Sequence, residues 1–356
     1  MKADRKALIS EAAPVLADWY RENGRALPWR QDRDAYKIWI SEIMLQQTRI
    51  EAVKPYYARF MEELPDLSAL AQVEEDRLLK LWEGLGYYSR ARNLKKCAME
   101  VTERWGGQLP ADYEALKRLP GIGPYTAGAI ASMAYGIPVP AVDGNVLRVL
   151  SRLLADSADI GQASVKREAE RLLTDCLPKD RPGDFNEGIM ELGETICIPN
   201  GRPSCNDCPL KTLCLAVRQG IQEELPVKTP KRARRREQRT VLLLQYETES
   251  SGLVTGIRKR PEDGLLAGLY ELPSLPGEMT QEEIRRTLSE RGVDAREIRE
   301  AGKARHIFSH VEWDMTGYVV RLDRLPDPGD LIFVEKAQVK EDYALPAAFR
   351  AFRKYL

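Results

Sequence analysis

Through roughly the first two thirds of the chain, apolar positions recur at intervals of three and four residues, as in LSALAQVEEDRLLKLW from Leu67 and NVLRVLSRLL from Asn145. That is the period of helices with a buried face. Short glycine- and proline-bearing breaks, GLGYYSR, GGQLP and RPGDF, separate these runs. From Met1 to about Glu224 the pattern predicts an all-α region. Beyond LPVKTPKRARRREQR the pattern changes: TVLLLQYE, GLVTGIRKR and HIFSHVEWDMTGYVVRL read as strands, the last alternating Val311, Trp313 and Met315 with Glu312, Asp314 and Thr316. One helix, TQEEIRRTLSERG, opens on Thr280 with Glu283 three residues on and closes on Gly292. The expected organisation is an all-α domain over 1–224, a basic linker over 225–239 and an α+β domain over 240–356. No repeat of fixed period runs through the chain.

Within the helical part, EALKRLPGIGPYTAGAIASMAYG predicts two helices joined by a tight turn. One helix ends near Leu119, Gly121 and Gly123 supply conformations free of a Cβ penalty, and Pro124 suits the first turn of the next helix. Ala127, Ile130, Ala131 and Ala134 form a stripe of mostly small residues for close packing. The open N–H groups of the turn and helix start can hold an anion, including a DNA phosphate contacted without regard to sequence. An ordinary helical hairpin has the same glycine pattern.

Charge adds little globally: 54 Lys plus Arg balance 54 Asp plus Glu in 356 residues. A basic signal is local, with seven basic residues against one acidic from Lys228 to Arg239. No apolar run approaches the roughly 18 residues that span a bilayer, and the first residues read as an amphipathic helix rather than a signal peptide. A cytoplasmic protein without membrane contact is expected. The only histidines, His306 and His310, come late, which excludes a histidine dyad or a zinc hydrolase centre from the first two thirds. Cys97 and Cys176 are isolated, whereas Cys197, Cys205, Cys208 and Cys214 crowd into CIPNGRPSCNDCPLKTLC with gaps of seven, two and five residues. Four thiolates so spaced suit zinc or a cubane iron–sulfur cluster.

Two carboxylates carry the candidate chemistry. In YKIWISEIMLQQTRI, Glu42 has Ile38, Trp39, Leu45 and Gln46 as same-face neighbours. An apolar surround raises a carboxyl pKa toward neutrality and makes a proton donor. Asp143, in VPAVDGNVLRVL, stands at a helix start, where capping is expected to hold it ionised. A protonated and an ionised carboxyl together suit cleavage of a glycosidic bond.

LPGIGPYTAGAI resembles the helix-hairpin-helix of the endonuclease III superfamily of DNA glycosylases, VDGNVLRVLSR resembles the aspartate segment that follows it, and the four cysteines lie where that superfamily holds a [4Fe-4S] cluster. LPWR, SEIMLQQTR and WEGLGYYSRARNL are similar to the MutY-type adenine glycosylases. Members that also cut the strand carry a lysine where this chain has Tyr125, and a phenol cannot form a Schiff base. The resemblance implies a monofunctional enzyme, acting as a monomer on double-stranded DNA with adenine opposite 8-oxoguanine or guanine. It implies that Glu42 protonates adenine N7 and then activates water, that Asp143 stabilises or transiently bonds the sugar, and that Tyr125 and Asn145 support them. Glu187 would accept from the exocyclic amine, with Arg25, Trp29, Arg30 and Leu45 completing the pocket. Gln47 and Tyr87 would enter the base stack, Thr48 and Leu85 would touch the opposite purine, and Gly121 and Gly123 would meet phosphate. The first cysteine gap is one residue longer than the superfamily's, and Arg202 and Lys211 would offset the cluster's charge.

The second part, from IRKRPEDGLLAGLYELPS onward, resembles a Nudix, or MutT-like, domain. Arg285, Arg286 and Ser289 stand where a magnesium-dependent hydrolase of that fold has acids. The resemblance therefore implies recognition of the oxidised guanine, by Phe308, Ser309 and His310, rather than metal chemistry. The alternatives are an endonuclease III-like glycosylase with lyase activity, opposed by Tyr125 and the second domain, and a mismatch-binding protein without catalysis.

Overall fold

The computed structural model describes residues 2–230, 233–249, 252–327 and 329–356, with residues 2–4 described by their backbone alone. Lys231 and Arg232 of the basic run lie outside the described residues. The chain forms two compact units, one from the chain up to Gln72 and from Asn93 to Pro230, the other from Val73–Arg92 with the chain beyond Pro230. The segment 73–92, expected in the helical domain, thus clusters with the second unit.

The helices up to Gln219 are α1 (Lys2–Asn23), α2 (Ala35–Leu45), α3 (Ile50–Glu63), α4 (Leu67–Gln72), α5 (Glu75–Leu81), α6 (Ser89–Trp105), α7 (Tyr113–Arg118), α8 (Pro124–Met133), α9 (Gly144–Leu153), α10 (Ala163–Cys176), α11 (Pro182–Thr195) and α12 (Leu215–Gln219). Four of them begin at an aspartate that accepts from the backbone three residues on: Asp34 from Lys37 N at 2.9 Å, Asp66 from Ala69 N at 2.8 Å, Asp112 from Ala115 N at 2.7 Å and Asp143 from Val146 N at 2.8 Å. Each bond satisfies an amide that has no partner inside its helix. α1 buries Ile9, Ala12, Ala13, Leu16 and Ala17, and packs on α11. The approach is close because a Cβ on Gly188 would stand 2.8 Å from the Leu16 carbonyl.

The hairpin turn between α7 and α8 requires Gly121, whose φ is +74° and whose Cβ would meet Asn93 Cβ at 2.7 Å. Gly123 has ordinary dihedrals and open space around it, so its lack of a side chain leaves the backbone accessible. α8 departs from the expected single stripe. Thr126 to Met133 are all buried and Ala134 is half-buried, because a helix this apolar is enclosed on every side.

The second unit carries β1 (Arg235–Thr248), β2 (Gly252–Lys259), β3 (Tyr270–Glu271), β4 (Ser274–Pro276), α13 (Gln281–Ser289), β5 (Ala295–Ile307), β6 (Val311–Leu322), β7 (Leu331–Glu335) and α14 (Lys336–Glu341). Strand order is β3-β2-β1-β6-β5, with β4 on β1 and β7 on β2; β1 and β6 run parallel and the other pairs antiparallel. Along β1, Val241 and Leu243 join one apolar cluster with Trp313, Phe349 and Phe352, while Leu242 and Leu244 join another with Ile284 and Leu288. The sheet is therefore covered on both faces. α13 has the expected Thr280–Glu283 capping box.

β1 begins at Arg235, inside the stretch expected as linker. Its basic residues 235–239 pair along β6 from Val311 to Met315, and Glu237 and Glu312 take Arg239 at 3.1 Å and Arg236 at 3.5 Å. The backbone ladder, indifferent to side-chain charge, decides there. No helix among the described residues is long and apolar enough to cross a membrane.

Candidate active site

Glu42 lies in the buried run Ile38–Met44 of α2, so its carboxyl has lost water. Burial pushes its pKa up to about 7, and Asp143 and Glu187 add to the rise, against the Tyr125 hydrogen bond and Arg30. Pro124 and the glycine turn set Tyr125 in the first turn of α8. Its hydroxyl donates to Glu42 Oε2 at 2.5 Å and reaches Met190 Sδ at 3.7 Å. Burial and the neighbouring carboxyls hold the phenol proton on, which keeps Tyr125 a donor.

Asp143 combines capping with burial. Oδ1 accepts from Val146 N at 2.8 Å and Oδ2 from Asn145 Nδ2 at 3.0 Å. Burial raises the Asp143 pKa above its ordinary value, against the hydrogen bonds from Val146 and Asn145 that favour the ionised form. Asn145 is itself oriented, since Arg148 Nη2 donates to its Oδ1 at 2.8 Å and to Gly193 O at 2.7 Å, while Arg148 Nε donates to Cys197 O at 2.8 Å. A Cβ on Gly193 would come within 2.8 Å of Asn145 Cβ, so α9 and α11 meet backbone-close at this point.

α11 supplies a row of carboxylates. Glu187 Oε1 lies 3.3 Å from Arg30 Nε, and Arg30 and Tyr20 favour its ionised form. Burial raises its pKa against both partners. Glu191, 1% exposed, accepts from Arg30 Nη1 at 2.9 Å and Arg25 Nη2 at 3.0 Å. Burial works to raise the Glu191 pKa, but the two guanidiniums hold it below the usual value. Arg25 Nη2 also donates to Glu194 at 2.7 Å.

The first unit thus holds the pairs Glu42–Tyr125, Asp143–Asn145 and Glu187–Arg30 near enough for Glu42 to be influenced by the charges of Asp143, Arg30 and Glu187, with Arg25 joined to Arg30 through Glu191. Trp29 is buried edge-on against Tyr57 at 5.2 Å. Leu45 ends α2 half-buried, Thr48 N donates back to Leu45 O at 3.2 Å, and Gln47 is exposed with φ +62°. For a non-glycine residue such a φ is uncommon and accompanies functional turns.

In the second unit, Tyr87 is 49% exposed with φ +47°, and its hydroxyl lies 2.8 Å from Ser309 Oγ. Leu85 departs from the expectation of a contact residue: it is buried, so its side chain packs inward, and what it offers is a carbonyl that accepts from Arg90 Nη2 at 3.2 Å. Phe308, Ser309 and His310 make the turn between β5 and β6, with Phe308 edge-on to Trp313 at 4.9 Å and His310 O accepting from Arg235 N at 3.1 Å. They line, with Tyr87, Arg92 and Arg234, a cavity of 720 Å³, large enough for a purine.

The four cysteines are half-buried free thiols. Burial pushes Cys208 up to about 12, and Cys197, Cys214 and Cys205 contribute. Arg152 Nη1 donates to Cys197 Sγ at 3.2 Å. Among the described residues, no three His, Cys, Asp or Glu close into a ligand set for one ion. The donor chemistry fits a thiolate-bound group, a cubane among them.

Sequence reasoning missed Tyr20, Glu191, Glu194 and Arg148. A signal existed for the glutamates: positions 187, 191 and 194 fall on one helical face. Tyr20 had none, since an aromatic on an amphipathic helix reads as core.

Residues 40–175 match the HhH-GPD superfamily of base excision DNA repair proteins, and residues 246–355 match the NUDIX domain. The chain is 36% identical to the adenine DNA glycosylase of Mus musculus over 378 aligned residues, covering 90% of this chain and 73% of that enzyme. Its fold is similar to a thermostable thymine-DNA glycosylase (TM-score 0.53, 28% identity) and to a trapped endonuclease III–DNA covalent intermediate (TM-score 0.51, 25% identity), each alignment covering 60% of this chain and 98% of the other.

Proposed function

Because the chain belongs to the adenine DNA glycosylase family, and so is a base excision repair glycosylase with DNA as its substrate, we propose that it hydrolyses the N-glycosidic bond of adenine opposite 8-oxoguanine, or guanine, as a monomer and without cutting the strand. The observation that carries this reading is the buried Glu42 carboxyl, whose pKa of about 7 lets it exist as an acid at neutral pH.

Adenine leaves poorly as an anion. Glu42 gives its proton to N7, the C1′–N9 bond breaks with its electron pair moving into the purine, and positive charge develops on the sugar. Asp143 lies close enough to be felt electrostatically by Glu42 and stabilises that cation, while Asn145 fixes its carboxylate. The Glu42 carboxylate then takes a proton from water as the oxygen bonds C1′, which restores the acid. Tyr125 steadies the Glu42 oxygen and offers no amine to trap the sugar. Glu187, with Arg30, accepts from the exocyclic amine. The base reaches this site by extrusion, which costs a few kcal/mol, less for a mispair; Gln47 and Tyr87 fill the gap. We assign Cys197, Cys205, Cys208 and Cys214 to a [4Fe-4S] cluster, which when bound cross-links the 197–214 loop.

Incubation with a duplex holding adenine opposite 8-oxoguanine tests the reading. Strand breaks that appear only after alkali support it, direct nicking would indicate a lyase, and retention without base loss a binding protein. In the same assay Ser309→Ala is expected to erode the preference for 8-oxoguanine over guanine by roughly tenfold, the worth of a hydrogen bond to a purine edge. An undiminished preference would remove Ser309 from lesion recognition.

A further inference from the structure

Asp143 is held by the segment that leads into it as well as by the helix it caps. Between α8 and α9 the chain reads IPVPAVDG, where Pro138 and Pro140 disfavour helix. The segment is neither helix nor strand, yet Pro140, Ala141 and Val142 are buried. Their backbone has no ladder to pair with, and a buried amide without a partner is costly. Asn186 of α11, itself 0% exposed, supplies the partner. Its Oδ1 accepts from Ala141 N at 3.1 Å, and its Nδ2 donates to Val139 O at 2.9 Å and to Ser132 Oγ at 2.8 Å. Ser132 donates its own hydrogen to Gly128 O at 2.7 Å, so it accepts from Asn186, and one orientation of the amide suits every neighbour. The segment also lies against α8. A Cβ on Gly128 would collide with the Pro140 carbonyl oxygen and stand 3.2 Å from Ala141 Cα.

We propose that Asn186 is a positioning residue for Asp143: by bonding the backbone on both sides of Pro140, it fixes where α9 begins and so where the capping carboxylate meets the sugar. This inference rests on the role given above to Asp143. Ala141 is two residues from Asp143, so a slip of the segment carries the carboxylate with it, with no loop between to absorb the movement. The exit from Asp143 is tied to the same helix, because Asn145 packs against Gly193 of α11. Asn186 and Gly193 are two turns apart on one face of α11, and that face holds the corner at 143 from both ends. A buried polar network whose members are all satisfied rigidifies what it joins. Packing alone would be met by an apolar side chain; two bonds to the backbone that leads into the carboxylate fix position as well as fill space.

The test measures two quantities on a duplex holding adenine opposite 8-oxoguanine, well below each variant's thermal midpoint: the single-turnover rate of adenine release with enzyme in excess, and the affinity for the duplex. Asn186→Ala is expected to slow release roughly ten- to a hundredfold, the cost of misplacing a group at the reacting centre by about an ångström, with duplex affinity retained. Ser132→Ala removes the one Asn186 bond that does not reach the segment and should leave the rate nearly unaltered. An undiminished rate in Asn186→Ala, a loss matched by weaker duplex binding, or an equal loss in Ser132→Ala overturns the proposal. A general loosening of the fold is separated by the pairing with Asp143→Asn. If the amide acts through Asp143, Asn186→Ala adds little to the loss already present in Asp143→Asn, whereas losses that multiply overturn the role. Should Asn186→Ala fail to fold, Asn186→Asp keeps the size and the bond from Ala141 N but sets an oxygen against Val139 O, and undiminished release by that variant equally overturns it. If the unaltered protein releases no adenine, or Asp143→Asn releases it at the unaltered rate, the reading of the site fails; if both behave as expected and only the Asn186 rate is unmoved, Asn186 alone is dismissed.

Discussion

Glu42→Gln is expected to slow adenine release by a factor of about a hundred to ten thousand, the range for removing a general acid, while binding of duplex DNA is retained. Glutamine nearly matches the shape of the acid and can still accept from the Tyr125 hydroxyl, so the change removes the transferable proton and little else. The pH dependence follows from the same group. Glu42 acts as the acid form, and its carboxyl is poised at about 7, so the single-turnover rate should be level below that value and fall tenfold per pH unit above it. A rate that stays level to pH 9 would assign the proton to another group. Stability should also fall as pH rises, over the window just below that in which activity is lost. Folding raises this carboxyl above its ordinary value, so between that value and about 7 the folded chain holds a proton that the unfolded chain releases, and the contribution of Glu42 to stability falls as pH rises through that window. Removing the charge at pH 8 should therefore leave the thermal midpoint no lower than in the unaltered protein, a trade of stability against activity common at such sites.

What could be read from the residues themselves was local. The Gly121 turn, the Pro124 start of α8, the Asp143 cap and the Thr280–Glu283 box each depend on a few neighbouring residues, and the structure has each of them. The helical period and the alternation along β6 likewise foretold the two fold classes. What could not be read depends on the third dimension. Nothing in GLGYYSR signals that 73–92 clusters with the second unit, or that Leu85 turns inward while Tyr87 faces out. The run from Arg235 to Arg239 looks like linker because its side chains are charged, and becomes strand because β6 offers a parallel ladder. At Asp143 the cap could be read locally, whereas the burial that raises its pKa against the cap is a tertiary fact. The carboxylates of α11 had the right spacing to be noticed, but only the arginines at 25 and 30, far away in sequence, give that face its meaning.

Asp143→Asn should cost roughly a hundredfold to a thousandfold in the rate of base release, the loss typical when one preorganised electrostatic stabiliser is removed. The substitution is informative because asparagine caps a helix about as well as aspartate. The bond from Val146 N can persist, while the new amide nitrogen faces Asn145 Nδ2 in place of an acceptor, so stability should fall by only about 1–3 kcal/mol, the cost of one unpaired donor, with the helix still capped. A slow but folded variant would separate the charge of Asp143 from its capping duty, which no aliphatic substitution can do. The physical basis lies in the burial of that charge. A carboxylate deprived of water and partly compensated by Asn145 and Val146 gains more from a nascent sugar cation than a solvated one would, and the gain appears in the transition state rather than on substrate binding. KM should accordingly change far less than kcat. If Glu42 and Asp143 act on one nucleotide, the double variant Glu42→Gln, Asp143→Asn should be scarcely slower than the slower single variant, because groups that act as a unit lose their value together. Rate losses that multiply across the pair would instead place the two carboxyls in separate steps, and a wild-type rate in Asp143→Asn would leave the aspartate only its helix to start.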